Sequence, residues 1–142
     1  MSSLAPPQPG TVRVVAELTE TEMHELAERL LSAIVAGDTD GVRAVYAPDA
    51  EIWHNFDEQN QTVDENVLTM DDLHRRASGL AYTEIRRFLA PGGFVQQHVL
   101  VGEAKGGPLH LPAIIRFWVA NGRVSRLEEY LDTRQAMVLY TG

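Results

Sequence analysis

Cysteine is missing from this 142-residue chain, which excludes disulfides, thiolate metal ligation and a cysteine nucleophile together. Lysine is nearly missing too: Lys105 is the only one, and 12 Lys+Arg face 20 Asp+Glu for a net charge of −8. Such a balance opposes phosphate backbones, which are held by clustered cations, so nucleic acid is not expected as a partner. The one dense basic pair, Arg86-Arg87, falls in a predicted strand, where neighbouring side chains point to opposite faces. No apolar run approaches the ~20 residues that a membrane span needs. The first residues, MSSLAPPQPGTVRVV, lack the charged-then-apolar order of a signal peptide. A cytoplasmic protein with no membrane partner is the expectation. Also lacking are His-x-His and His-x-x-x-His pairs, a glycine-rich phosphate loop after a strand, and a Gly-x-Ser-x-Gly elbow. Neither a metal nor a cofactor is expected.

What is present reads as one globular domain. Hydrophobic residues make up 44% of the chain, an ordinary fraction for a packed core. The proline-rich start predicts a loose arm over residues 1–16, followed by a single domain over 17–142. Thr19 and Glu22 form a capping box, with Leu18 and Met23 at the staple positions. Met23, Leu26, Leu30 and Ile34 then lie on one helical stripe, which Gly37 closes. Asp38 or Thr39 caps a short second helix that stops before Pro48. A strand is expected over Glu51–Phe56, then a polar excursion over Asp57–Asn66. A third helix is expected with Thr69 as its cap, Asp71 and Asp72 in its first turn, and an end near Gly79. Beyond it the period becomes two. Strands are predicted over Tyr82–Leu89, Phe94–Gly102, Leu109–Ala120 and Arg123–Leu131, with short turns that force antiparallel neighbours. Asn121-Gly122 is a type I′ hairpin signal. The layout is α+β, with a curved sheet wrapped around helices.

The strand FVQQHVLVG carries polar side chains where a core strand should be apolar. Alternation puts Phe94, Gln96, His98 and Leu100 on one face, a histidine and an amide among apolar groups, as a small-molecule pocket is lined. In the next strand Leu109, Leu111, Ala113, Ile115, Phe117 and Val119 form an apolar inner face. Ile114, Arg116 and Trp118 stand on the outer face, which is expected to meet a second copy of the chain or to lie under a loop or terminus. In the last strand Glu129 shares a face with Leu127 and Leu131, so it is either paired inside or solvated at the sheet's end. His98 is its expected partner, with the carboxylate raising the imidazole pKa. In the first strand either Trp53 and Asn55 or His54 faces inward, depending on a bulge. His24 and His74 read as solvated helix residues. His98 is thus the leading acid/base candidate, against the alternative of a hydrogen-bonded structural residue.

AGDTDGVRAVYAPDAEIWHNF, PGGFVQQHVLVG and LPAIIRFWVANGRVSRLEEYLD together resemble the SnoaL-like branch of the NTF2-like superfamily. The resemblance spans Thr19 to about Asp132. It implies a cone in which three N-terminal helices pack in a curved, mostly antiparallel sheet, with a pocket at the wide end. Relatives implied by it include polyketide cyclases, ketosteroid isomerase, scytalone dehydratase and limonene epoxide hydrolase, beside non-enzymatic modules. The hydrolase's Arg-x-Asp falls at Gln96-Gln97-His98, which disfavours epoxide hydrolysis. The dehydratase's catalytic histidine looks similar to His98, the isomerase's general base falls near His54, and the cyclases' late-strand carboxylate falls at Glu129. The expectation is a cofactor-free cyclase, isomerase or lyase acting on a small, largely apolar oxygenated ligand, with a non-catalytic binding module as the rival. His98, Glu129 and His54 are its catalytic candidates. Trp53, Asn55, Gln96, Leu111, Ala113, Ile115 and Leu127 are its binding candidates.

Overall fold

The computed structural model describes residues 17–142, so the arm expected over 1–16 lies outside the described residues. Helix α1, Glu20–Ala36, begins at the Thr19–Glu22 capping box and ends at Gly37, whose φ of 68° is the left-handed value that glycine accepts without strain. Helix α2, Thr39–Val45, is capped by the Asp38 side chain and buries Val42 and Val45. Strand β1, Tyr46–His54, starts directly at its end, five residues before the expected Glu51. After β2 (Asn60–Gln61), helix α3 runs over Val63–Arg76.

Its cap is Thr62, not Thr69. The Thr62–Glu65 pair is a complete capping box within the polar stretch expected to be loop. Asp71 and Asp72 therefore sit inside the helix, where Asp72 pairs with Arg75 at 3.3 Å and Arg76 at 2.7 Å. Strands β3 (Ala77–Ala90), β4 (Gly93–Ala104), β5 (Gly107–Ala120) and β6 (Arg123–Leu131) form the predicted meander, with β3 five residues longer at its start. At the last turn Asn121 and Gly122 have φ of 53° and 74°, the two positive values of a type I′ hairpin. A 3-10 turn, Gln135–Leu139, closes the described chain.

The six strands form one sheet in the order β2-β1-β6-β5-β4-β3. Only β1 and β6 pair in parallel; the other neighbours are antiparallel. The helices cover the concave face. There Phe94 and Phe117, both essentially inaccessible, stack at 4.3 Å and pack with Met23, Leu30 and Ile52 in the main core. A smaller cluster, including Leu100, Leu109, Leu111 and Leu139, lies under the 3-10 turn. On the outer face Arg116 lies over the Trp118 ring at 4.4 Å and donates to the carbonyls of Phe117 and Pro91. Among the described residues no helix is long and apolar enough to cross a membrane.

Candidate functional site

A cavity of about 390 Å³ opens between the concave sheet, α1, α3 and the C-terminal turn. Its walls are mainly aliphatic, and Leu111, Ile115 and Leu127 are among them as expected. The polar groups on the wall are few, and they converge.

Strand register brings two of them together. In the parallel pair, His54 of β1 stands beside Glu129 of β6. Their side chains both point to the concave face, with His54 Nε2 at 3.2 Å from Glu129 Oε1 and side-chain exposures of 8% and 18%. His54 faces inward because Tyr46, Ala50 and Ile52 do, an apolar set of alternate residues that a strand beginning at Glu51 cuts short. Its ring stacks on Phe56 at 5.0 Å, and Nδ1 is buried with no hydrogen-bond partner among the described residues. Glu129 thus sits between Leu127 and Leu131, held by the imidazole on one side and open to the cavity.

Two phenols complete this polar group. Tyr46 and Tyr82 both line the cavity, and burial, with the Glu129 charge second, pushes both above the ordinary tyrosine value. They stay protonated across the whole ordinary pH range and can only donate to an anion. Neither side chain was singled out by the sequence. The short helix expected to stop before Pro48 takes in Tyr46, and the inward set of β3 is blurred by bulges after Ser78 and Thr83. Asn66 ends the polar excursion expected over Asp57–Asn66, yet it is buried at the cavity wall and donates to Gln61 at 3.1 Å. At the rim Arg76 pairs with Asp72, donates to the Leu139 carbonyl at 3.3 Å and lies 4.6 Å over the Tyr140 ring. That ion pair holds the Asp72 carboxyl below the usual carboxylate range.

The remaining expected site residues are elsewhere. His98 is buried, but its partner is Gln96, whose Nε2 lies 2.7 Å from His98 Nδ1, and not Glu129. Burial lowers its pKa, outweighing the opposing Glu129 charge, so the expected upward shift is reversed. Neither His98 nor Gln96 lines the cavity; His98 stands behind its wall, meeting the Tyr82 ring edge-on at 4.8 Å. Trp53 points to the outer face and packs on Tyr130 at 5.2 Å. Asn55 ties the ends of β1 and β6 together, donating to the Leu131 carbonyl at 3.2 Å and accepting from its N–H at 3.0 Å. Ala113 pairs with His98 in the sheet and does not reach the cavity. His74 is not solvated: its Nε2 lies 2.6 Å from the Ile34 carbonyl. Among the described residues no three His, Asp or Glu side chains converge as metal ligands would.

A mixed, curved six-stranded sheet holding three helices in its hollow is the α+β cone of the NTF2-like fold. Within it, residues 27–127 match the SnoaL-like domain, and the chain belongs to that family. Solved structures agree on the fold at low identity. PrhC from Penicillium brasilianum superposes with a TM-score of 0.75 at 13% identity, covering 84% of this chain and 85% of its own. BvnE pinacolase from Penicillium brevicompactum gives 0.73 at 10% identity, covering 85% and 92%. A SnoaL-like protein from Shewanella denitrificans, proposed to be a polyketide cyclase, gives 0.72 at 10% identity, covering 86% and 98%. Among curated proteins, none matches the sequence.

Proposed function

We propose that the protein is a cofactor-free acid–base enzyme acting on an apolar ketone or polyketide-like ligand, with Glu129 as the base. The observation that carries this reading is the Glu129–His54 pair opening onto an apolar cavity that also presents the two neutral phenols. A carboxylate flanked by leucines is costly to keep unless it has work that needs it there. Glu129 takes a proton from the carbon next to the ligand's carbonyl. The C–H electrons move into the new C=C bond, and the carbonyl π electrons move onto oxygen. Tyr46 or Tyr82 donates to that oxygen as charge develops, a contribution of about 10²–10³-fold per donor in other enzymes. The proton then returns from Glu129 to a different carbon of the conjugated enolate, giving isomerisation. Alternatively the enolate carbon attacks a second carbonyl, whose π electrons move onto its oxygen and take up the Glu129 proton, giving a ring that carries a hydroxyl. His54 orients the carboxylate through Nε2. The SnoaL-like family, and the fold neighbour proposed to be a polyketide cyclase, support this class of chemistry without specifying the substrate.

The test is proton exchange. Bicyclic aryl ketones and β-diketones are incubated with the protein in D₂O, and loss of the α-proton signal is followed by NMR. Wild-type protein accelerates exchange and Glu129→Gln does not, while its circular dichroism is unchanged. Equal rates with and without protein, for ligands shown to bind, would establish a binding module instead.

A further inference from the structure

A row of side chains crosses the concave face from strand to strand. Arg87 of β3 is paired with Gln96 of β4, Gln96 with Ile115 of β5, and Ile115 with Glu129 of β6. The Glu129 end opens on the cavity. The Arg87 end is a closed hydrogen-bond chain that the proposed chemistry does not use. Arg87 Nε donates to Gln96 Oε1 at 2.7 Å, and Gln96 Nε2 lies 2.7 Å from His98 Nδ1. The same guanidinium reaches back to α1, to Glu28 and to His24 Nδ1 at 3.1 Å. Its side chain is 6% exposed, and Gln96 is fully buried.

The donor inventory of this chain allows one arrangement. A guanidinium has only donors, so the amide atom facing it is oxygen. The other amide atom is then nitrogen, which can only donate, and His98 Nδ1 must accept. The imidazole proton is therefore on Nε2. Moving it to Nδ1, or adding a second proton there, would set N–H against N–H. Turning the amide over to relieve that would set its NH₂ against Arg87, and both side chains are buried.

We propose that Arg87 is a positioning residue that acts through Gln96 to hold His98 as the neutral Nε2–H tautomer, a one-way hydrogen-bond donor behind the cavity wall. His98 is then not a base, and its ring fixes the Tyr82 phenol that it meets edge-on. The charged and titratable groups acting on it are Glu129 from β6 and Arg87 and Tyr82 from β3, and the first two oppose each other. The assignment concerns the state of His98 alone and stands whether or not Glu129 abstracts a proton.

The experiment is long-range ¹⁵N–¹H NMR of the full chain, with the His98 signals assigned by their loss in His98→Gln. Wild-type protein is expected to show Nδ1 unprotonated and Nε2 protonated throughout the range of about pH 5–8 in which an ordinary histidine changes charge. Gln96→Glu replaces the donor by an acceptor of the same shape that still pairs with Arg87, and it should bring a proton onto Nδ1. A wild-type His98 protonated at Nδ1, or one that titrates in that range, would overturn the assignment. So would a Gln96→Glu spectrum identical to the wild type. Were that variant to lose its fold, the wild-type spectrum alone would still decide.

Discussion

The two ends of the polar row are built from similar residues and are satisfied differently. At the β3–β4 end, Arg87 donates to Gln96 and to Glu28, and Gln96 in turn meets His98 Nδ1. At the β6–β1 end, Glu129 and His54 meet once, and among the described residues His54 Nδ1 has no partner. In the first chain the Gln96 oxygen and the His98 Nδ1 lone pair are already engaged by neighbours and are not free to take a ligand's proton. An incomplete one keeps capacity for a ligand and pays for that in desolvation. Burial of a histidine therefore does not distinguish site from scaffold; what its neighbours leave unsatisfied does.

The comparison can be broken most sharply at Glu129. Glu129→Gln should cost roughly 10²–10⁴-fold in ketone proton exchange, the range for removing a general base, with the fold retained. Glu129→Leu should be as inactive and cost no more than about 1–3 kcal/mol in urea unfolding, the penalty for leaving His54 Nε2 without its partner, because the carboxylate it removes is itself desolvated among leucines. Next, Tyr46→Phe and Tyr82→Phe should each lower exchange by about 10²-fold while moving stability by less than about 1 kcal/mol. A loss of several kcal/mol would mean that the hydroxyls hold the fold together. At the other end the sign reverses. Gln96→Leu should cost stability, about 1–3 kcal/mol for each of the two partners left unpaired, Arg87 and His98, as read from the urea midpoint.

Smaller and more diagnostic effects come from pH. The two phenols are raised in the folded state, so the unfolded chain loses their protons first. Stability is then level below the ordinary tyrosine value near 10 and falls above it, by up to about 1.4 kcal/mol per pH unit for each phenol. Each Tyr→Phe variant should halve that slope. His98 is shifted the other way. Its contribution is intact above the ordinary histidine value near 6.5 and is lost as pH falls below it, because only the unfolded chain takes up the proton. The difference in acid stability between wild type and His98→Gln measures this last effect.

Much of the fold was legible because it rests on local chemistry. The Thr19–Glu22 box, the Gly37 stop, the Asn121-Gly122 hairpin and the alternation of Phe94, Gln96, His98 and Leu100 need no distant partner to be read. The start of α3 was less legible, because Asp71-Asp72 after Thr69 resembles a helix first turn as well as the Thr62–Glu65 capping box does, and the helix begins seven residues earlier than expected. So was pairing. His98 and Glu129 were expected to pair if Glu129 turned inward, yet they belong to β4 and β6 with β5 between them.

By itself, then, the sequence determined the family, the α+β layout and the inward faces of β4, β5 and β6, since capping, turn type and alternation are set by residues within a few positions of one another. Only the tertiary structure decided which polar side chains meet. Strand order put β1 beside β6 in parallel, and that register gave Glu129 to His54. Arg87 took the amide oxygen of Gln96 and left its nitrogen for His98. Hydrogen bonds between distant segments are chosen by the packing that brings them together, and no local pattern records that choice.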